Sequence, residues 1–221
     1  MSVTSTLAHK KRIRLEASLA EMATLVLDAL RRSLQCLQSQ DLDLAGRIVE
    51  DDSMINHRRR LLEQECLVAL AAFEPAGEDL RGMGSCLGLV SELERIGDYA
   101  ADVARIVLLA GDAAFPAEPV AAVVREAEQA IGMLAATLAA LGSGASPEAA
   151  REAAAAESAV DAAEGTVIQQ VLAMMHRDPG LATLGTYLLW IAHNYERVAD
   201  RATNVAEHAI YVASGQQVDL S

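Results

Sequence analysis

Apolar residues recur every three or four positions along most of the chain, which is the spacing that gives an α-helix one apolar face. The pattern is clearest in two stretches that begin at Cys86 and Leu184. Apolar or small residues occupy positions 86, 89, 93, 96, 100, 103, 107 and 110 of the first, and positions 184, 188, 191, 195, 198, 202, 205, 209 and 212 of the second. Because such a face packs against other helices, the pattern predicts a helical bundle.

The same spacing predicts six long helices. They span residues 6–39, 44–73, 78–110, 119–141, 147–176 and 181–214. Capping or turn residues separate them, among them Ser146 with Pro147, the turn 178–180 and the stop at Gly215. The clearest linker is 111–118, so we predict a first three-helix bundle at 1–110 and a second at 119–221.

The two halves of the chain repeat one motif. Residues 94–104 (ERIGDYAADVA) and 196–206 (ERVADRATNVA) lie 102 positions apart and are identical at six of eleven positions. A repeat at nearly half the chain length indicates two copies of one structural unit. The predicted fold class is therefore all-α, with two tandem three-helix bundles related by an internal repeat.

Each copy of the motif carries a column of oxygen donors. At about 100° per residue, acidic residues spaced by four lie on one stripe of the helix, away from its apolar face. The column is Glu94, Asp98 and Asp102 in the first repeat, and Glu196, Asp200, Asn204 and Glu207 in the second. Further candidate donors near the columns are Asp52, Asn56, Glu157, Asp161 and His193. We predict that these columns bind metal.

Two interpretations of the columns remain open. Carboxylates four residues apart on an exposed helix repel by only about 0.2–0.5 kcal/mol per pair, so solvated surface charge is tolerable without a metal. Recurrence of the whole pattern favours a metal site instead. Oxygen donors alone suit magnesium or calcium, whereas an imidazole such as that of His193 shifts the preference toward iron or zinc.

Composition supports a helical protein and restricts its partners. Hydrophobic residues make up 52% of the 221 residues, and only 3% are aromatic, which favours close-packed helices over sheets. The formal net charge of −13 argues against nucleic acid, because phosphate backbones require clustered lysine and arginine. The short basic runs at 10–14 and 58–60 are interpreted as solvated helix faces. An acidic chain instead suits a cation or a basic surface on a partner.

Cysteine use and hydropathy predict the cellular location. Cys36, Cys66 and Cys86 lie within apolar helical patterns without CxxC spacing, as expected of reduced thiols in a cytosol. Glu16 and Glu21 interrupt the region after the basic N-terminal residues, so no secretion signal is expected. The nearly apolar run 130–142 is too short to span a bilayer. We therefore expect a cytoplasmic protein.

The double motif resembles the PhoU family of bacterial regulators of phosphate uptake. The resemblance is carried by 94–100 (ERIGDYA) and, more closely, by 195–207 (YERVADRATNVAE), and it extends over nearly the whole chain. It implies two three-helix bundles whose E/DxxxD motifs bind iron, zinc or magnesium. It also implies a non-enzymatic protein that links the ATPase of the phosphate ABC transporter to the sensor histidine kinase of the phosphate two-component system. Contact with the membrane is expected only through these partners, and a homodimer is a further expectation.

The sequence departs from the family pattern beside each motif. Histidine is common immediately after the motif aspartate, where this chain has Tyr99 and Arg201. Arg105 stands in the first repeat where Glu207 stands in the second, so a cation replaces a metal ligand. We therefore expect weaker metal binding in the first repeat than in the second, or none.

Two functional alternatives follow from the same residues. A metal-free helical adaptor would use the acidic stripe to dock on a basic partner. A carboxylate-bridged di-iron oxidase also places acids in a helical bundle, but it requires Glu-x-x-His pairs that project inward. Here the order is His193-x-x-Glu196, which disfavours the oxidase. No glycine-rich phosphate loop or nucleophile motif indicates another enzyme.

Overall fold

The computed structural model of the chain describes residues 3–142 and 146–220, which form helices joined by short connections without any strand. The helices are α1 Val3–Ser39, α2 Leu42–Phe73, α3 Gly77–Ala110, α4 Ala117–Leu141, α5 Pro147–Ala154, α6 Glu157–Arg177 and α7 Ala182–Ser214, with a 3₁₀ turn at Pro179–Leu181. The prediction of an all-α protein is confirmed. Among these described helices, none has a stretch long and apolar enough to cross a membrane.

Local capping explains where several helices begin and end. The Asp41 carboxylate accepts a hydrogen bond from the Leu44 amide at 2.8 Å and so caps α2. The predicted cap Ser146 accepts one from the Ala149 amide at 3.2 Å. Gly215 ends α7 with a φ of 76°, a left-handed conformation that glycine adopts without steric cost. Part of the predicted break before Ser146, residues 143–145, lies outside the described residues.

The fifth predicted helix differs from the structure. The continuous helix expected over 147–176 is divided into α5 and α6 at Ala155 and Ala156. The Ala156 amide donates to the Ala153 carbonyl three residues back, which interrupts the regular four-residue spacing. The break lets α5 pack in a small alanine-rich cluster with Ile210 of α7, beside the main core. Neither residue at the break is glycine or proline, so local sequence gives no sign of it.

Buried apolar side chains run through both halves of the molecule as one core. Helices α1, α2 and α3 pack on one another, as do α4, α6 and α7, with α5 against α4 and α7. The predicted apolar face of α3 is buried from position 86 to 107, and that of α7 from 188 to 209. The predicted arrangement of two three-helix bundles is confirmed.

The two motif helices, α3 and α7, run antiparallel along the junction between the bundles. Near one end of this contact, a Cβ built on Gly88 would lie 2.5 Å from the His208 ring, so any larger residue there would require the ring to shift. Further along, the guanidinium carbon of Arg197 lies 5.8 Å from the centre of the Tyr99 ring. The acidic column of each repeat therefore lies on a helix that also contacts the other repeat.

Candidate metal-binding site

The acidic column of the first repeat lies on α3 where this helix packs against α2. The side chains of Glu94 and of Asp52, on α2, are each only 13% exposed. Asn56 donates a hydrogen bond from Nδ2 to Asp52 Oδ2 at 3.1 Å. Burial, followed by the charges of Glu94, Asp52 and Asp102, raises the pKa of Asp98 to about 6. These acids therefore form one cluster of like charge between the two helices.

Two arginines supply positive charge to this first cluster. Arg59 of α2 places Nε 3.3 Å from Glu94 Oε1. Arg105 of α3 donates a hydrogen bond from Nη1 to Asp102 Oδ1 at 2.6 Å, and its Nη2 lies 3.8 Å from Asp52 Oδ2. The chain therefore neutralises part of the first cluster with its own side chains.

The acidic column of the second repeat lies on α7 where it packs against α6. Burial raises the pKa of Glu157 on α6, and a hydrogen bond with the Thr203 hydroxyl opposes that rise. Three neighbouring carboxylates, those of Asp161, Asp200 and Glu207, add to it. Four carboxylates that repel one another in this way can share a cation.

Two members of the second column also have partners elsewhere in the chain. Asn204 donates from Nδ2 to Glu92 Oε2 of α3 at 3.2 Å. Glu207 Oε1 accepts a hydrogen bond from the Leu220 amide at 2.8 Å. These contacts tie the column to the first bundle and to the C-terminal segment.

His193 and Glu196 lie at the start of the second column, next to a carboxylate that the sequence analysis did not select. His193 Nδ1 lies 3.2 Å from Glu196 Oε2 and 3.5 Å from Oε1 of Glu164 on α6. One ligand atom from each of the three residues lies within 4.8 Å of the others. Over residues 3–142 and 146–220, this is the group of three or more such side chains compact enough to hold one metal ion.

Glu126 of α4 faces the same group from the interior. Its side chain is fully buried, and neither carboxylate oxygen has a hydrogen-bond partner among the described residues. Burial, followed by the charges of Glu164 and Glu196, raises its pKa to about 9. Burial and the charges of Asp200 and Glu164 likewise raise the pKa of Glu196 to about 7.

Sequence reasoning missed Glu126 and Glu164, although both carried a signal. Glu126 occupies a position of the apolar stripe of α4, between the buried residues Val123 and Ala130. Glu164 likewise occupies a position of the buried stripe of α6, between Val160 and Val167. A charged residue on an otherwise apolar face has to be neutralised or paired. The packing of α6 on α7 then brings Glu164 beside Glu196.

The donor chemistry fits a metal better in the second repeat than in the first. Carboxylate oxygens with one imidazole nitrogen suit a borderline divalent metal such as zinc or iron(II). In the first repeat the residues that would hold a cation are Asp52, Glu94, Asp98 and Asp102, and Arg59 and Arg105 already lie among them. In the second, Arg197 Nε lies 3.6 Å from Asp200 Oδ2, and the imidazole of His193 lies beside Glu196 and Glu164.

The family departures noted beside the motif aspartates lie at the junction between the bundles. Arg201 Nη1 lies 3.4 Å from Glu92 Oε2 of α3. Tyr99 of α3 lies under the guanidinium of Arg197 of α7. The two positions therefore serve contacts between the repeats.

Comparison with known proteins agrees with this repeated architecture. The family model of the PhoU domain matches residues 19–107 and, a second time, residues 123–209. This chain belongs to the PhoU family. The two matched segments contain both motif copies and the helices that face them, so the resemblance found in the sequence is confirmed.

Relatives of the chain match it over at least nine-tenths of its length. The phosphate-specific transport system accessory protein PhoU homolog of Rhizobium meliloti is 30% identical over 199 residues, covering 90% of this chain and 84% of that protein. The homolog of Streptococcus pneumoniae serotype 4 is 30% identical over 208 residues, covering 94% of this chain and 95% of that protein. The crystal structure of the regulatory protein PhoU from Streptococcus pneumoniae matches with a TM-score of 0.88 at 28% identity, over 96% of this chain and all of that one. The crystal structure of PhoU from Pseudomonas aeruginosa also matches with a TM-score of 0.88, at 27% identity, over 94% of this chain and 99% of that one.

Proposed function

We propose that this chain is a non-enzymatic negative regulator of phosphate uptake and signalling. It acts in the cytoplasm between the ATPase subunit of the phosphate ABC transporter and the sensor histidine kinase that responds to phosphate. The observation that carries the proposal is the full-length similarity to accessory proteins of the phosphate-specific transport system, over 90% or more of this chain.

The proposed mechanism is conformational. Arg197 against Tyr99 and Arg201 against Glu92 join the motif helices of the two bundles. A change of charge at one acidic column therefore alters a helix that the other bundle contacts directly. Partners that bind one arrangement of the bundles better than another shift the population toward it.

Metal binding is the second part of the proposal. The acidic columns hold iron, zinc or magnesium. Burial, and after it repulsion by neighbouring acids, raises the pKa of Asp98 in the first repeat and of Glu157 in the second, and the cation offsets that repulsion. The proposal includes tighter binding in the second repeat, where Glu207 stands at the position of Arg105.

One observation favours a metal-free adaptor as a second candidate function. Arg59 and Arg105 already neutralise part of the first column. A surface that supplies its own cations can hold its shape without metal and present its remaining acids to a basic partner.

The regulatory proposal is tested with a phosphate-starvation reporter in a deletion strain grown in excess phosphate. We expect the reporter to be active in the deletion strain and silent when the intact gene is restored. A reporter that stays silent without the gene would refute the regulatory role. The purified ATPase subunit and the kinase, each mixed with the full chain, should give complexes by gel filtration.

The contribution of metal is tested in the same strain. Asp98→Asn and Asp200→Asn each remove one central carboxylate, and Glu128→Gln, on the exposed side of α4, is the matched control. If metal is needed, the aspartate variants should fail to silence the reporter and should lose metal when purified. Full silencing by variants that hold no metal would favour the adaptor.

A further inference from the structure

The second bundle contains a carboxylate–imidazole group that shares only Glu196 with the column of its motif. Glu126 comes from α4, Glu164 from α6, and His193 and Glu196 from α7. Of these four, the motif itself supplies only Glu196. Helices α6 and α7 bring three of these side chains within 4.8 Å of one another, and α4 supplies the fourth, whose ionisation Glu164 and Glu196 oppose.

The buried member of this group has no partner of its own. Both oxygens of Glu126 lack a hydrogen bond among the described residues, and its side chain is fully buried. A buried carboxylate is stable only when it is protonated, hydrogen-bonded or neutralised by a nearby cation. Its nearest charged neighbours, Glu164 and Glu196, are themselves acids and oppose its ionisation.

Comparison of the two repeats shows that an arginine of the first is replaced by an acid in this group. The α2 and α6 positions correspond at an offset of 105 residues, since Asp52 and Glu157 occupy matching places beside the two columns. At that offset Glu164 corresponds to Arg59. Arg59 places its guanidinium 3.3 Å from the motif acid Glu94, whereas Glu164 adds a further carboxylate beside the equivalent motif acid.

We infer that Glu164, His193 and Glu196, with Glu126 behind them, form a binding site for a borderline divalent transition metal such as zinc. The metal takes the place that the arginine side chain fills in the first repeat. Mixed oxygen and nitrogen donors select such a metal over magnesium, which prefers oxygen ligands alone. His193, with 60% of its side chain exposed, gives the ion access from solvent.

This inference deepens the metal-binding part of the proposed function by naming the side chains and the class of metal. The test is calorimetric titration of Zn²⁺ into the chelator-treated full chain with excess Mg²⁺ present. Glu164→Gln and His193→Gln should each weaken Zn²⁺ binding by at least about tenfold, because changing even the hydrogen-bond partners of metal ligands costs about 10–100-fold in affinity. Glu164→Arg should remove one bound equivalent, because it installs the cation of the first repeat.

Matched controls separate this site from the neighbouring column. Glu128→Gln, exposed on α4, should bind as the parent does, whereas Glu126→Gln, two residues away and buried, should bind more weakly. Asp161→Asn changes an exposed candidate donor on α6 beside the column, and it should leave the Zn²⁺ equivalent held by Glu164 and His193 in place. Far-UV circular dichroism of each variant establishes that it is folded, and anomalous scattering from crystals grown with Zn²⁺ locates the ion.

Two outcomes would overturn the inference. If Glu164→Gln and His193→Gln bind Zn²⁺ as the parent does while Asp161→Asn or Asp200→Asn does not, the metal belongs to the column alone. If the parent chain binds no Zn²⁺, this inference fails, whereas metal analysis of Asp98→Asn and Asp200→Asn still tests the columns and the reporter assay decides the regulatory role independently.

Discussion

Replacing Glu126 by glutamine should change how the stability of the chain depends on pH. The carboxyl group has a pKa of about 9 in the folded protein against 4.5 in its ordinary state, because burial and two neighbouring acids disfavour its charged form. An acid whose pKa is raised on folding makes its full contribution to stability when the pH is below its pKa in the unfolded chain. That contribution is lost progressively as the pH rises from 4.5 through 9.

The magnitude follows from the size of this shift. One pKa unit corresponds to about 1.4 kcal/mol, so keeping Glu126 protonated at pH 7 costs about 3 kcal/mol relative to the unfolded chain, where the group ionises freely. Glutamine is neutral at every pH and nearly isosteric with the protonated acid. The stability difference between Glu126→Gln and the parent should therefore shift in favour of the variant by about 3 kcal/mol between pH 4.5 and pH 7.

The assay is urea unfolding followed by far-UV circular dichroism, at several pH values and with a chelator present. Measuring the change with pH removes any constant effect of the amide group itself. Glu128→Gln, on the same helix but exposed, should give a difference from the parent that does not vary with pH. Parallel stability curves for Glu126→Gln and the parent would refute the reasoning, since they would mean that Glu126 ionises alike in the folded and unfolded chain.

Three further predictions concern the junction and the first column. Gly88→Ala should lower the unfolding midpoint and loosen the junction, measurable by hydrogen exchange, because its Cβ would lie 2.5 Å from the His208 ring. Tyr195→Phe removes a buried hydroxyl 3.0 Å from Ser33 Oγ and should cost about 0.5–1.5 kcal/mol in urea unfolding. With a chelator present, Asp98→Asn should gain stability over the parent as the pH rises through about 6, since burial and neighbouring acids raise this pKa.

The helices and their buried faces could be predicted from the sequence because helical periodicity is a local property. The stripe from 188 to 209 on α7 is buried as its spacing predicts. The repeated motif, read over many residues, was enough to indicate the family. The boundaries of the two domains and the metal ligands of the columns remain predictions.

What the sequence did not reveal depends on contacts between helices. The break at Ala155 and Ala156 arises where α5 and α6 pack in different clusters, and alanine suits either a continuous or a broken helix. Glu164 lies on the buried stripe of its own helix, but only the α6–α7 contact places it 3.5 Å from His193. Such pairings require the three-dimensional arrangement of the helices.

The two repeats share one architecture but balance their acidic charge differently. Arg59 and Arg105 lie among the acids of the first repeat, and glutamates occupy both corresponding positions, 164 and 207, in the second. A guanidinium is permanently charged and covalently attached, so the first cluster keeps the same neutralising charge under all cellular conditions. In the second cluster Arg197 Nε lies 3.6 Å from Asp200 Oδ2, but glutamates stand at the two positions that the arginines occupy in the first. The added acids leave the second cluster more dependent on protons or on a cation from solution. The charge of the second cluster therefore changes with the ions in solution, whereas that of the first stays constant. Because α3 and α7 meet along the junction, we expect a change in ion concentration to act on the protein through the second bundle.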